Sequence, residues 1–314
     1  MTAACKANEI RLIRVYEASV VEVWEAWTDP NQAAMWWGPR GFTLTTHSKD
    51  LRVGGNWKYT MHGPDGTDYP NNTIYHELEP YKRLVYDHGG NDDQPPLFRV
   101  TVTFNEVDGK TVMDMVFALD TAETAEQMRQ FIKSAGGNAT WDRLAEYLAK
   151  KKEDKDVFVI NHSFAAPPET VFAMWTDPMH LRSWLPPKGF SMEFLRSEIK
   201  EGASTFYRMF NKGGIELYGR THYLQISPSR QIVMKQDFCD QHENMSRHPL
   251  APELPQSILT TVQFVAEGDG VRVTLTSVSG NGATAKEIAR FVEERAGMSQ
   301  GWGGSLDALE EKLH

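Results

Sequence analysis

The chain repeats itself. Thr28 to Phe42 reads TDPNQAAMWWGPRGF and Thr176 to Phe190 reads TDPMHLRSWLPPKGF, with seven identities in register 148 positions apart. The same offset pairs Val23 with Val171, Trp27 with Trp175, Gly54 with Gly202, Tyr59 with Tyr207, Met61 with Met209 and Tyr75 with Tyr223. Beyond Val85 and Val233 the offset rises to 160, pairing Pro95 with Pro255 and Phe104 with Phe264. The second copy therefore carries 12 extra residues, in a loop expected between about 237 and 255. A period this long is the size of a globular domain and too long for a solenoid unit. The expected organisation is one domain over 1–150 and a second over 155–314, joined by the charged run Lys150 to Lys155.

Each copy shows the same order of local patterns. IRLIRVY from Ile10 and VFVINHSF from Val157 alternate as first strands. Val20, Val23, Trp24 and Trp27 fall at helical spacing, as do Val171, Phe172 and Trp175, until Asp29-Pro30 or Asp177-Pro178 ends one helix and starts a short second one. Turn signals at Gly54-Gly55, Gly63-Pro64-Asp65-Gly66, Pro80-Tyr81 and Asp108-Gly109 then divide Gly41 to Phe117 into an antiparallel meander of about six strands. A sheet with one apolar face needs a cover. The terminal helices supply it, with Trp141, Leu144 and Leu148 on one stripe and Trp302, Leu306 and Leu309 on the other. A shorter helix precedes each, with capping-box spacing at Thr124 and Gln127 and at Thr284 and Glu287, and breaks expected at Gly136-Gly137 and Gly297. The fold class is α+β, two tandem domains.

Composition excludes several functions. Both halves are acidic, −6 and −3 of the formal −9, so phosphate-backbone binding lacks its electrostatic drive and nucleic acid is not an expected partner. No apolar run is long enough to span a bilayer and the first residues resemble no leader, so a cytoplasmic protein without a membrane span is expected. The two cysteines, Cys5 and Cys239, occupy non-equivalent positions and predict no disulfide. Cys239, His242 and His248 match no zinc spacing, no Gly-rich phosphate loop opens a helix, and no cofactor or metal is expected.

The motifs VWEAWTDP, MWWGPRGF, GGNWKYTMHGPDG, YHELEPYKRLVY and DRLAEYL, repeated as VFAMWTDP, SWLPPKGF, EGASTFYRMF, YLQISPSRQIV and GWGGSLDALEEKL, resemble the family of activators of the 90-kDa heat-shock protein ATPase, within the START-like (SRPBCC) helix-grip superfamily. The resemblance covers nearly the whole chain twice. It implies a curved antiparallel sheet of about six strands gripping a long C-terminal helix in each copy, with a cavity between them. Leu185 in place of Trp37, and a missing GPDG turn, set the second copy apart. The separate chaperone-binding domain of the eukaryotic activators has no counterpart.

On that fold, Trp36, Trp37, Phe42, Trp57, Tyr59, Met61, Tyr75, Phe98, Met128, Phe131 and Trp141 are candidate cavity residues, with Trp184, Phe190, Tyr207, Met209, Tyr223, Phe291 and Trp302 in the second copy. For any one of them ordinary core packing is the first explanation, and it is the cavity implied by the resemblance that raises the pocket reading. His62, His88 and His222 are candidates for a polar or basic group, with His76 as a further histidine and Asp65 or Asp87 as an orienting carboxylate. No residue is assigned as catalytic. The expected function is binding of a small hydrophobic or aromatic ligand. The alternatives are a chaperone-associated interaction protein, or a cyclase- or hydrolase-type enzyme using a cavity histidine. The two copies are also expected to pack as an intramolecular pseudo-dimer.

Overall fold

In a computed structural model, residues 6–90, 94–134, 139–152 and 156–313 are described, without the side chains of 131–134 and 152. Cys5 and the Gly136-Gly137 break lie outside these residues. The chain divides into two compact units, Met1–Lys152 and Glu153–His314.

The first unit runs β1 (Glu9–Tyr16), α1 (Val20–Thr28), α2 (Pro30–Ala33), β2 (Thr43–Lys49), β3 (Asn56–His62), β4 (Asp68–Glu79), β5 (Arg83–His88), β6 (Phe98–Val107), β7 (Lys110–Ala118), α3 (Ala122–Ser134) and α4 (Ala139–Lys152). The second repeats it as β8 (Phe158–Phe164), α5 (Pro168–Thr176), α6 (Pro178–Trp184), β9 (Phe190–Ser197), β10 (Ser204–Asn211), β11 (Glu216–Ser227), β12 (Gln231–Cys239), β13 (Ser257–Glu267), β14 (Gly270–Ser279), α7 (Ala285–Glu293) and α8 (Arg295–Lys312). Each unit has one seven-stranded antiparallel sheet, ordered β1-β7-β6-β5-β4-β3-β2 in the first and β8-β14-β13-β12-β11-β10-β9 in the second. The meander contributes six of the seven. The first strand closes on the last, Ile10 opposite Phe117 and Phe158 opposite Ser277.

Asp29 ends α1 in an extended conformation and accepts the backbone N–H groups of Asn31 and Gln32, so one residue stops a helix and caps the next. Asp177 does the same at Met179. Two β-bulges recur at equivalent places. His47 and Leu195 are the extra residues where β2 meets β3 and β9 meets β10, and His76 and Leu224 where β4 meets β5 and β11 meets β12. A bulge kinks its strand and increases the local twist, which bends the sheet around the terminal helix.

The core lies on the concave side. Trp27 stacks on Trp141 of α4, centroids 5.3 Å apart at 14°, and Trp175 on Trp302 of α8, 6.1 Å apart at 15°. Trp36 and Trp184 are fully buried, and their indole N–H groups donate to the carbonyls of Ala26 and Met174 at 3.0 and 2.9 Å.

Two local expectations change. The α3 cap is Thr121, whose hydroxyl accepts the Thr124 N–H at 3.1 Å while the Thr124 hydroxyl accepts the Thr121 N–H at 3.1 Å. Thr124 therefore sits at the third helical position and Gln127 a turn further on. In the second unit Thr284 and Glu287 do form the capping box, but the break before α8 falls at Glu294, and Gly297 lies inside the helix.

Candidate ligand-binding site

In the first unit a cavity of about 610 Å³ opens between the concave face and the helices, lined by Ile10, Leu12, Phe98, Phe117, Met128 and Trp141 among others. A smaller chamber of about 160 Å³ lies beside the Trp37-Gly38-Pro39 turn. Met61, His88, Phe98, Phe117 and Trp141 line both, so the two adjoin as one mostly apolar site. The larger volume falls within the usual range for small-molecule pockets.

Strand parity decides which candidates reach it. On β3, Trp57, Tyr59 and Met61 share the concave face and His62 points the other way. His62 is spent outside, its Nδ1 2.6 Å from an Asp68 carboxylate oxygen and its Nε2 2.9 Å from the Thr45 hydroxyl. His76, as the bulged residue, is exposed and pairs with Asp87 at 2.7 Å, beside Arg99. Asp65 caps its own turn by accepting the Thr67 N–H at 3.0 Å. Neither carboxylate faces a cavity histidine.

His88 follows Leu84 and Tyr86 in the inward series of β5 and enters both chambers. Its ring stacks on Phe98, centroids 5.0 Å apart at 26°. Burial pushes its pKa down to about 4, so the imidazole is neutral near pH 7. No described residue hydrogen-bonds to it.

The remaining first-unit candidates divide between lining and support. Trp37 lines the smaller chamber and packs on Trp57 at 5.0 Å, with Tyr59 against Trp57 at 4.2 Å. Trp36, Trp57, Tyr59 and Tyr75 are buried behind the wall and line neither chamber. Phe42 packs on Tyr69 at 5.8 Å, also off the wall. Phe131 lies outside the described side chains. Ile10, Leu12 and Phe117 line the cavity without having been singled out in the sequence. Their alternation on β1 and β7 was the available signal.

The terminal helix fixes the roof. Arg143 of α4 donates to the carbonyls of Gly38 and Pro39, both at 2.8 Å, and reaches Met35 at 3.4 Å, while Arg40 pairs with Glu146. In the second unit one neutral bond does this work, the Ser305 hydroxyl to the Leu185 carbonyl at 2.8 Å.

The second unit keeps little space. Its concave face encloses about 20 Å³, bordered by Tyr207, Tyr223, Trp302, Leu185 and Gln236, no more than a water needs. Phe158 stands where the first unit has Ile10 and is buried, and Leu254 of the β12–β13 connection packs against the same core. That connection is held by Arg247, which donates to the Leu254 carbonyl at 3.1 Å and pairs with Glu287. Trp184 and Phe291 are core; Phe190 and Met209 line no cavity. His222 lies on the convex face, 3.2 Å from Asp237, whose carboxyl is held below the usual range by hydrogen bonds from Ser257, Arg220 and Lys235 that outweigh its desolvation. A depression of about 480 Å³ borders His222 and Lys235 there.

No group of three metal-ligating side chains occurs among the described residues, and no helix there is long and apolar enough to cross a membrane. His248, near Cys239 in sequence, packs edge-on against Phe238 at 5.0 Å.

Residues 17–149 and 165–314 each match the profile described as Activator of Hsp90 ATPase homolog 1-like protein. The chain belongs to this family, in two tandem copies. No protein with a curated description matches it. Among solved structures, this AHSA1-like chain is similar to a protein from Chromobacterium violaceum, at 22% identity over 50% of this chain and 96% of the other, with a TM-score of 0.40. It is similar to an AHSA1-like protein from Aeromonas hydrophila at 24% identity, over 46% of this chain and 94% of that one, TM-score 0.37. The di-domain ARO/CYC BexL from the BE-7585A biosynthetic pathway aligns with 96% of this chain and 97% of its own, at 15% identity and TM-score 0.40.

Proposed function

We propose that this AHSA1-like protein binds one small, largely apolar molecule in the cavity of its first unit, without turnover. The observation that carries this reading is the contrast between about 610 Å³ of apolar space in the first unit and about 20 Å³ in the second. A close-packed interior leaves few voids larger than water, and a space this size on one copy of a duplicated core has the volume of a small-molecule pocket. Catalysis finds less support, because no described carboxylate orients His88, and His62 and His222 face away from the concave side.

A ligand of about 20 non-hydrogen atoms at about 0.3 kcal/mol each gains about 6 kcal/mol, a Kd of tens of micromolar. Native mass spectrometry of the freshly purified chain, followed by denaturing extraction, tests the reading. One retained apolar molecule per chain is the expected result. Two per chain would contradict the one-site assignment. An empty chain that also takes up no apolar probe would overturn the proposal and favour the chaperone contact that the family name implies.

A further inference from the structure

The geometry points to a cavity that selects neutral hydroxylated molecules, alcohols or phenols on an apolar ring skeleton, over carboxylates, with His88 reading the hydroxyl. This inference rests on the ligand-binding reading above and adds a chemical class to it.

The polar groups at the site are few and their charges decide the class. His88 is the one titratable base among the described lining residues of either chamber, which include no lysine or arginine. The remaining polar side chains on the larger chamber are Asp68, Tyr69, Asn71 and Gln94. Asp68 is already engaged by His62 at 2.6 Å, and the Asn71 amide donates to the Tyr69 carbonyl at 2.9 Å. A carboxylate entering this site would lose its hydration and meet no cation among the described lining residues, which costs more than apolar contact returns.

A hydroxyl meets the opposite situation. The His88 ring is pinned against Phe98, on the neighbouring strand, where His88 pairs directly with it. No described residue engages either ring nitrogen. Neutral imidazole offers one donor and one acceptor, and a hydroxyl can use either. Burial supports this by keeping the ring uncharged near pH 7. Sites built to hydrogen-bond a hydroxyl discriminate strongly, because a ligand lacking it leaves the buried partner unpaired.

Equilibrium dialysis of the full chain against 4-phenylphenol, biphenyl and biphenyl-4-carboxylate at pH 7 tests the proposal, with wild type, His88→Leu and His88→Gln. Near-ultraviolet circular dichroism of each variant verifies that the tryptophan core is intact. We expect His88→Leu to reduce the affinity ratio of phenol to hydrocarbon by about fivefold, the worth of one buried hydrogen bond. His88→Gln, the side chain found at the equivalent Gln236, should retain most of the ratio, and the carboxylate should bind at least about tenfold more weakly than the phenol. A ratio unchanged in His88→Leu, or a carboxylate bound as tightly as the phenol, overturns the hydroxyl selectivity while leaving binding intact. Uptake of none of the three overturns the binding reading itself.

Discussion

His88 and Phe98 face each other across β5 and β6 with their rings stacked, and the equivalent pair in the second unit is Gln236 opposite Ile258. The backbone register is the same, so at this pair the difference lies in the side chains. Two flat rings leave a slot beside them. An amide and a branched aliphatic chain, joined by Phe158 and Leu254, close it.

Stability should depend on pH through His88. Its imidazole takes up a proton near 6.5 when unfolded but only near 4 when folded. The unfolded state therefore binds more protons between these values, so stability is complete above pH 6.5, falls as pH drops towards 4, and is flat with respect to this group below that. The loss is at most about 3 kcal/mol. Urea titrations of wild type and His88→Gln across pH 4 to 7 should show a shallower decline in the variant, and parallel curves would refute the assignment.

Met61→Trp should block the site. Met61 borders both chambers, so a larger ring there fills space without displacing buried neighbours. Uptake of apolar probes should fall at least about tenfold while the thermal midpoint moves by no more than about 3 °C. Unimpaired uptake in the folded variant would place the ligand elsewhere.

Arg143→Ala should loosen the Trp37-Gly38-Pro39 turn. It removes charge-assisted bonds to the Gly38 and Pro39 carbonyls and should cost about 2–3 kcal/mol. Ser305→Ala, which removes one neutral bond to Leu185, should cost about 1 kcal/mol. Amide exchange should accelerate at residues 36–42 in the first variant and 185–190 in the second, each without change in the other unit. Acceleration spread evenly over both units would contradict these local roles.

Lys49 should titrate far below the ordinary range of a lysine. Burial lowers its pKa to about 7 against a partial counter-effect of Asp29, and its ammonium donates to the Trp27 carbonyl at 3.1 Å over the Trp57 ring. After reductive ¹³C-methylation, its resonance should shift with a midpoint near 7. A midpoint near 10 would show that the ammonium is solvated.

The duplication, the α+β class, the order of elements and most of the core are legible in the sequence. Those features rest on local signals that survive in any context: Asp-Pro after a helical apolar run, Gly-rich turns between alternating stretches, and tryptophans held in register by the repeat. It also held the parity that separates His88 from His62, since His88 is two residues from the buried Tyr86 and His62 is one from Met61. Where space remains is settled by the packing of the folded chain. Volume left between packed layers is the small difference between large quantities, set by residues distant in sequence, such as Ile10 against Phe117 or Leu254 against the second core. The same aromatic pattern therefore encloses a cavity in one copy and packs almost solid in the other.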